Sequence, residues 1–154
     1  MRYVQHVLQP GETVLHESRL HWLIYWRALL MLILALGVAA VYLLRVDPMV
    51  QKAALGVSLF CLAVCILFAI GAAIRRRSTE LAVTDQRIIY KSGAFSRHTM
   101  EMNRSKVESV DVDQSVLGRI FGYGTLLIRG TGGSLEPIAN IQDPLAFRSR
   151  ITTS

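Results

Sequence analysis

Hydrophobic and polar positions divide this chain into two regimes. Up to residue 77 the apolar residues run in two long blocks; beyond it they alternate with polar residues in short runs separated by turn formers. The block from Ala53 to Ile74 carries no charged residue, and Arg75-Arg76-Arg77 follows at once. At a rise of ~1.5 Å per residue such a helix is roughly 33 Å long, enough to cross a bilayer core with slight tilt. An earlier block runs from about Leu23 to Leu44, uncharged from Ala28 onward and led in by Tyr25, Trp26 and Arg27. Aromatic rings suit the headgroup zone, and Arg27, near the end of the span, can snorkel its guanidinium back to it. Arg45 to Lys52 reads as a tight connection in which Pro48 stops the first helix. The pattern predicts a transmembrane hairpin over residues 23–77, with spans of about 23–44 and 53–74.

Residues 1–22 are amphipathic. Pro10-Gly11 is a turn signal that separates Tyr3–Leu8 from Val14-Leu15 and Leu20–Trp22, where apolar and polar residues alternate loosely. The segment reads as lying at a membrane interface or packing on the later domain. A cleavable signal peptide does not fit, because the apolar region starts too late, is too long and is followed by a second one.

Residues 78–154 read as a small β domain. Thr79–Thr84 alternates, with Leu81 and Val83 on one face, and Asp85-Gln86 turns the chain into Arg87–Lys91, with Ile88 and Tyr90 on one side. After Ser92-Gly93 come Phe95–Met102, with Met100 and Met102 inward, and Val107–Gln114, with Val110 and Val112 inward and Asp111 and Asp113 outward. Ser115 then caps a short helical turn whose Val116, Leu117, Ile120 and Phe121 make an apolar face. Tyr123–Arg129, the hairpin turn Thr131–Ser134 and Leu135–Ile138 complete six strands. Asp143 caps a closing helix with Pro144 at its first position and Phe147 and Ile151 on one face. Six short strands cannot bury both faces of an open sheet, so the expectation is a strongly bent sheet or small antiparallel barrel plugged by the terminal helix.

The chain's 52% hydrophobic fraction exceeds that of a typical soluble domain, and the net charge of +6 suggests nucleic acid until it is located. Residues 1–77 hold eight Lys/Arg against three acids, whereas residues 78–154 hold nine against eight. The basic excess therefore sits beside the apolar blocks, where the positive-inside rule puts it, and a nucleic-acid partner is excluded. Arg2, Arg19, Arg27, Arg75, Arg76 and Arg77 flank the hairpin, against Arg45 and Lys52 in its connection. That asymmetry predicts a cell-membrane protein with two spans and both termini in the cytoplasm. Neither span carries Asp, Glu, Lys or His at mid-membrane, which speaks against a pump or channel.

Candidate chemistry is sparse. Cys61 and Cys65, four apart inside the second span, share a helix face and read as small, soft packing residues. His16 and His21 with Glu12 and Glu17 match no metal-ligand spacing and read as solvated or interfacial. The glycines from Gly122 to Gly133 open and close a strand rather than open a helix, so they read as turns of positive φ and not as a nucleotide loop. Asp111 and Asp113 lack further oxygen ligands, and His98 is the only histidine after residue 78. No set of residues asks for a metal or a cofactor, and an enzyme built on Asp111, Asp113 or His98 is the weakest reading. Asn103-Arg-Ser105 spells a glycosylation sequon that a cytoplasmic location would leave unused.

Several motifs together resemble the bacterial pleckstrin-homology (PH) membrane proteins. They are Pro10-Gly-Glu12, Thr84-Asp85-Gln-Arg87-Ile-Ile-Tyr, Gly93-Ala-Phe95, Lys106-Val-Glu-Ser-Val, Gln114-Ser-Val-Leu-Gly118-Arg-Ile-Phe-Gly122-Tyr-Gly124 and Asp143-Pro144-Leu-Ala-Phe147. The resemblance implies a PH-like fold on a membrane hairpin, with no enzymatic activity and a role in membrane-associated assembly or stress response. Two features depart from lipid-binding PH domains. The first hairpin loop, Thr84-Asp85-Gln86, presents a carboxylate to any phosphate, and the closing helix is short. The expected function is a membrane-anchored module that binds a protein partner or a second copy through edge strands and the barrel mouth. The alternative is an anionic-lipid sensor that uses Arg75–Arg77 with Arg97, Arg104 or Lys106.

Overall fold

A computed structural model describes residues 2–44, 47–94, 96, 98–131, 133–134 and 137–152. The expected strand starts at Phe95 and Leu135, together with Arg45, Arg97 and Gly132, lie outside the described residues. The chain forms two compact units, one of Trp22–Ile74 and one of Met1–His21 with Arg75–Ser154.

The first unit is a helical hairpin. A 3₁₀ turn, Trp22–Tyr25, leads into one helix at Trp26–Leu43, and a second occupies Pro48–Ser78. Labelled in chain order after the short α1 (Arg2–Val7), these are α2 and α3. Both are long and apolar enough to cross a membrane. Pro48 opens α3 instead of stopping α2. Its missing N–H lies in the first turn, where no intrahelical acceptor exists, and Asp47 Oδ1 accepts the Met49 N–H at 2.7 Å. The helices meet along a seam of small residues: Ala28 and Ala35 on α2, Ala54 and Cys61 on α3, all buried. Three α3 side chains reach across to α2 carbonyls: Gln51 to Tyr42 (3.3 Å), Ser58 to Ala35 (3.0 Å) and Cys65 to Ala28 (3.2 Å). Donors ascend in sevens while acceptors descend in sevens, so the register is antiparallel with a heptad repeat. Small side chains let the backbones approach closely enough for these bonds to form. Most of the large apolar residues point outward.

The second unit is built from two antiparallel sheets. The first has the order β1 (Val14–Ser18), β2 (Glu80–Thr84), β3 (Arg87–Ser92), β4 (His98–Asn103). In the second, β6 (Tyr123–Gly130) pairs with β5 (Val107–Asp113), β7 (Gly133–Ser134) and β8 (Ile138–Gln142). Helix α4 (Val116–Phe121) joins β5 to β6, and α5 (Pro144–Thr152) follows β8.

The expected closed barrel is not formed. On one side the sheets are stitched by a bridge, Leu20 to Ile141, flanked by His21 N–H to Asn140 O (2.7 Å) and Gln142 N–H to Arg19 O (3.0 Å). On the other, a 3₁₀ turn at Arg104–Lys106 redirects the chain between β4 and β5, and no ladder joins them among the described residues. Closure is unnecessary because α5 covers both sheets, lying against β1, β2, β5 and β6. Phe147 is fully buried and Ile151 nearly so, with Leu81, Val83, Ile88, Leu126, Ile128 and Ile141 completing the core.

The N-terminal segment supplies a strand and a helix to this unit. β1 pairs with β2, and α1 covers the outer face of the first sheet, where Val4 packs on Ala82 and Ile89. β2 is consequently buried along its whole length rather than on alternate residues. Glu80 Oε2 accepts the N–H groups of Tyr3 (3.2 Å) and Val4 (3.3 Å), placing a carboxylate at the positive end of α1.

A fragment of residues 78–154 discards β1 and α1, uncovers Ala82 and Ile89, and leaves β2 paired with β3 alone. It should give the poorly dispersed amide NMR spectrum of a collapsed chain. Joining residues 1–21 to 75–154 through a short Gly/Ser linker should restore dispersion. A well-dispersed spectrum from 78–154 alone would show that the N-terminal strand is dispensable.

Candidate functional site

The Pro10-Gly11-Glu12 turn and the Thr84-Asp85-Gln86-Arg87 hairpin form one polar cluster. Gly11 takes a φ of 86°, which turns the chain so that Glu12 N–H bonds Gln9 O (2.9 Å) and Gln9 N–H returns to Glu12 Oε2 (2.8 Å). The Glu12 side chain is then wholly removed from solvent. Arg87 meets it with two nitrogens, Nη2 to Oε2 at 2.9 Å and Nε to Oε1 at 3.0 Å. The other edge of the guanidinium reaches Glu101 Oε2 (2.6 Å), and Nη2 also bonds Val7 O (2.7 Å). The buried Thr84 hydroxyl donates to Glu12 Oε1 (2.7 Å) and accepts the Arg87 N–H (2.9 Å). Asp85 pairs with the Thr13 backbone in both directions: its N–H donates to Thr13 O, and its Oδ1 accepts the Thr13 N–H. The Arg87 guanidinium holds the Glu12 carboxyl at about 2, against 4.5 for a free carboxyl, and burial opposes that shift. The same pairing raises the pKa of Arg87.

A second cluster joins Gly118, Gly122, Gly124, Asp143 and Pro144. Ser115 Oγ accepts the Gly118 N–H (3.1 Å) at the start of α4, and Gly122, with φ 72°, ends it in the left-handed conformation. Asp143 N–H donates to Gly122 O (2.9 Å) and its carbonyl accepts from Phe147 N–H (3.1 Å), so one residue joins the end of α4 to the start of α5. Gly124 serves close approach, not positive φ. A Cβ there would lie 2.8 Å from Asp113 O and 3.1 Å from the Pro144 ring. Gly93, with φ 93°, ends β3.

The basic residues separate into different roles. Arg27 is exposed and lies over the Trp26 ring, 5.6 Å from its centroid. Arg75 and Arg77 are exposed, whereas Arg76 is half-buried and donates to Leu20 O (3.1 Å). Arg104 donates to Ile151 O (3.0 Å) and Arg150 O (3.1 Å), where it compensates the C-terminal end of α5 and is unavailable as a free headgroup ligand. Lys106 is exposed.

The four residues read as solvated or interfacial in segment 1–22 are dispersed, and two of them are buried. Glu12 belongs to Arg87; His16 contacts the Phe147 ring edge-on (5.9 Å); Glu17 is exposed. Buried His21 stacks on Tyr123 at 5.4 Å. Burial and then nearby Arg76 lower its pKa. His98, Asp111 and Asp113 are all exposed, and Asp111 pairs with Arg129 on the surface at 3.5 Å. Among the described residues no three His, Cys, Asp or Glu come together as a metal site.

Two clefts adjoin the open side. One of about 270 Å³ runs along β4, lined by Met100, Glu101, Met102, Lys106 and Gly130. The other, about 520 Å³, lies between the Asp85-Gln86 turn, Arg104 and the end of α5 at Ile151 and Thr152. Among the described residues strand β4 bonds β3 only, and its outward positions alternate with half-buried Met100 and Met102.

Glu12 is a depressed carboxyl, so its contribution is complete above the unfolded value and disappears as pH falls toward 2. The shift from 4.5 to about 2 corresponds to roughly 3 kcal/mol. His21, also depressed, loses its contribution as pH falls below about 6.5. Comparing wild type with Glu12→Gln isolates the first effect, because His21 acts equally in both. The variant should unfold at lower denaturant at pH 7, and the difference should shrink between about pH 5 and pH 2. A constant difference across that window would contradict the ion-pair assignment.

Residues 28–153 match the family described as bacterial PH domain. No match was found among curated proteins or among solved structures. PH domains are generally interaction modules for lipids or proteins rather than catalysts. The matched stretch takes in nearly the whole hairpin, seven of the eight strands and both glycine-tied helices, and the chain belongs to the bacterial PH domain family.

Proposed function

We propose that this protein is a membrane-anchored, non-enzymatic interaction module whose two-sheet unit faces the cytoplasm and takes up a protein partner or a second copy along β4. The carrying observation is the open edge of β4. Among the described residues its backbone has a ladder partner on one side only, and a cleft of about 270 Å³ lined by Met100 and Met102 runs beside it. An incoming strand gains main-chain hydrogen bonds there while its alternate side chains enter the cleft. Flexible methionines suit such a surface because they repack around different shapes. Asp85 and Glu101 close the neighbouring turn to phosphate, which favours a protein over a lipid headgroup at this end.

A photo-crosslinking residue at Thr99 on β4, in native membranes, should give adducts above monomer mass. The same probe at Asp111 on β5 should not. Monomers alone at both positions would remove the edge-strand reading. Orientation is tested with Ser92→Cys in a Cys61→Ala, Cys65→Ser background. An impermeant thiol reagent should label it after lysis and not in intact cells. Labelling of intact cells would place the unit outside.

A second reading, an anionic-lipid sensor, draws support from Arg75. It lines a cleft of about 300 Å³ with Leu20, Thr79, Ser92 and Gly93 at the end of α3. Each basic residue near an anionic surface contributes about 1 kcal/mol. Arg75→Gln with Arg77→Gln should then weaken recruitment of anionic lipid around the full chain, and unchanged lipid composition would discard this reading.

A further inference from the structure

Helix α4 is built the wrong way round for a helix of a soluble domain. Val116, Leu117, Ile120 and Phe121 occupy one face, and they are 75%, 58%, 70% and 48% exposed. The only buried residue in the helix is Gly118. Its attachment is almost entirely polar, through the Ser115 cap, the Gly122–Asp143 bond and the Gln114 side chain, which donates to Tyr123 O at 3.0 Å. Leu145, at the adjoining start of α5, is 56% exposed and extends the apolar surface. Four large side chains on two helical turns thus contribute little to the core of their own unit, although burying them is worth far more than leaving them in water.

The position of α4 along the chain says what covers them. His21 is the last residue before Trp22, where the first apolar span begins. Its ring stacks on Tyr123 and bonds the backbone of Phe121, the last residue of α4. The preceding carbonyl, Leu20 O, is held by Arg76 from the triplet that closes the second span. The C-terminal end of α4 is therefore tied to both points at which the chain passes between the sheets and the apolar helices. Exposed Arg119 adds a cation on the same short helix.

We infer that α4 is an interfacial membrane-docking element, whose Val116, Leu117, Ile120 and Phe121 side chains enter the headgroup–acyl boundary of the bilayer that holds the spans. The inference rests on the membrane-anchored reading. An apolar helical face with a flanking cation is the composition that lies in this zone, and buried apolar area sets its affinity. The spans hold the unit at the surface, so α4 need not recruit the protein. Its contact fixes how the sheets stand on the membrane and so which edge strand faces the cytoplasm.

The test uses the full chain in phosphatidylcholine/phosphatidylglycerol nanodiscs with Cys61→Ala and Cys65→Ser. Single cysteines at Ile120, at Leu62 within α3, and at Glu108 carry an environment-sensitive fluorophore. Glu108 lies toward the other end of β5 from α4, roughly 15 Å or more away at ~3.3 Å per residue. Lipids spin-labelled near the headgroup should quench the Ile120 probe at least twofold, with a blue-shifted emission. Deep spin labels should quench Leu62, and Glu108 should respond to neither. Quenching at Leu62 without quenching at Ile120 overturns the docking inference and leaves the anchored reading intact. Absence of quenching at Leu62 removes the anchored reading and this inference with it. A blue-shifted but unquenched Ile120 probe means a protein covers α4, and that also overturns the inference.

Discussion

The buried carboxylate of Glu12 is the constraint on which the rest of the unit depends. A carboxylate fully withdrawn from water is tolerated only with charge and hydrogen bonds to replace the lost solvation. Here the replacements come from Arg87 on β3, the Thr84 hydroxyl at the end of β2 and the Gln9 backbone. Arg87 and Thr84 also hold partners within the first sheet, but the Glu12 carboxylate meets them only when the N-terminal segment is in place beside β2. The pair thus sets the position of β1, and the register of β1 against β2 runs from it, Val14 opposite Thr84 and Ser18 opposite Leu81. Removing Arg87 would strand the buried Glu12 charge, which costs more than the pair itself gains, whereas Arg87 keeps Glu101.

That placement governs the apolar hairpin. β1 and β2 are neighbouring antiparallel strands, yet 61 residues separate Ser18 from Glu80 in the numbering. The helices are therefore an insertion between two adjacent strands of one sheet. The chain must return close to where it left, and Arg76 bonding Leu20 O marks the return. Two antiparallel helices satisfy this, whereas an odd number of crossings does not. The heptad ladder of Gln51, Ser58 and Cys65 onto α2 carbonyls holds the excursion closed along its length. Such bonds gain from the absence of competing water in an apolar medium, though measured values stay near 1 kcal/mol.

The two motif clusters explain why the open barrel is stable. The Glu12–Arg87 cluster clamps one end of the first sheet, and the Gly122–Asp143–Pro144 cluster seats α5 over both sheets. With the core sealed by α5, β4 has no need to pair with β5, and its outer edge remains available. Edge strands of this kind are normally protected against indiscriminate pairing. On β4 the protection consists of outward polar residues, His98, Thr99, Glu101 and Asn103, which leave the edge accessible to a specific strand.

Much of this architecture is legible in the sequence. An uncharged run longer than a bilayer core, alternating runs after residue 78, the Ser115 cap and the buried faces of Val110, Phe147 and Ile151 follow from local periodicity and capping chemistry. What only the tertiary structure decided are the pairings across long separations. Glu12 with Arg87, Glu80 with the first turn of α1, and Val4 with Ala82 lie about 75 residues apart, and no local pattern couples them. The same holds for the glycines. Their spelling suggests positive φ throughout, but Gly124 is there because Asp113 and Pro144 leave no room for a Cβ. Closure of the barrel failed for a related reason. Strand count says how much apolar surface must be covered, and only the packed structure shows that a nine-residue helix covers it. Local patterns determine which elements form and which faces they bury, while the partner of each buried charge is settled only when distant segments meet.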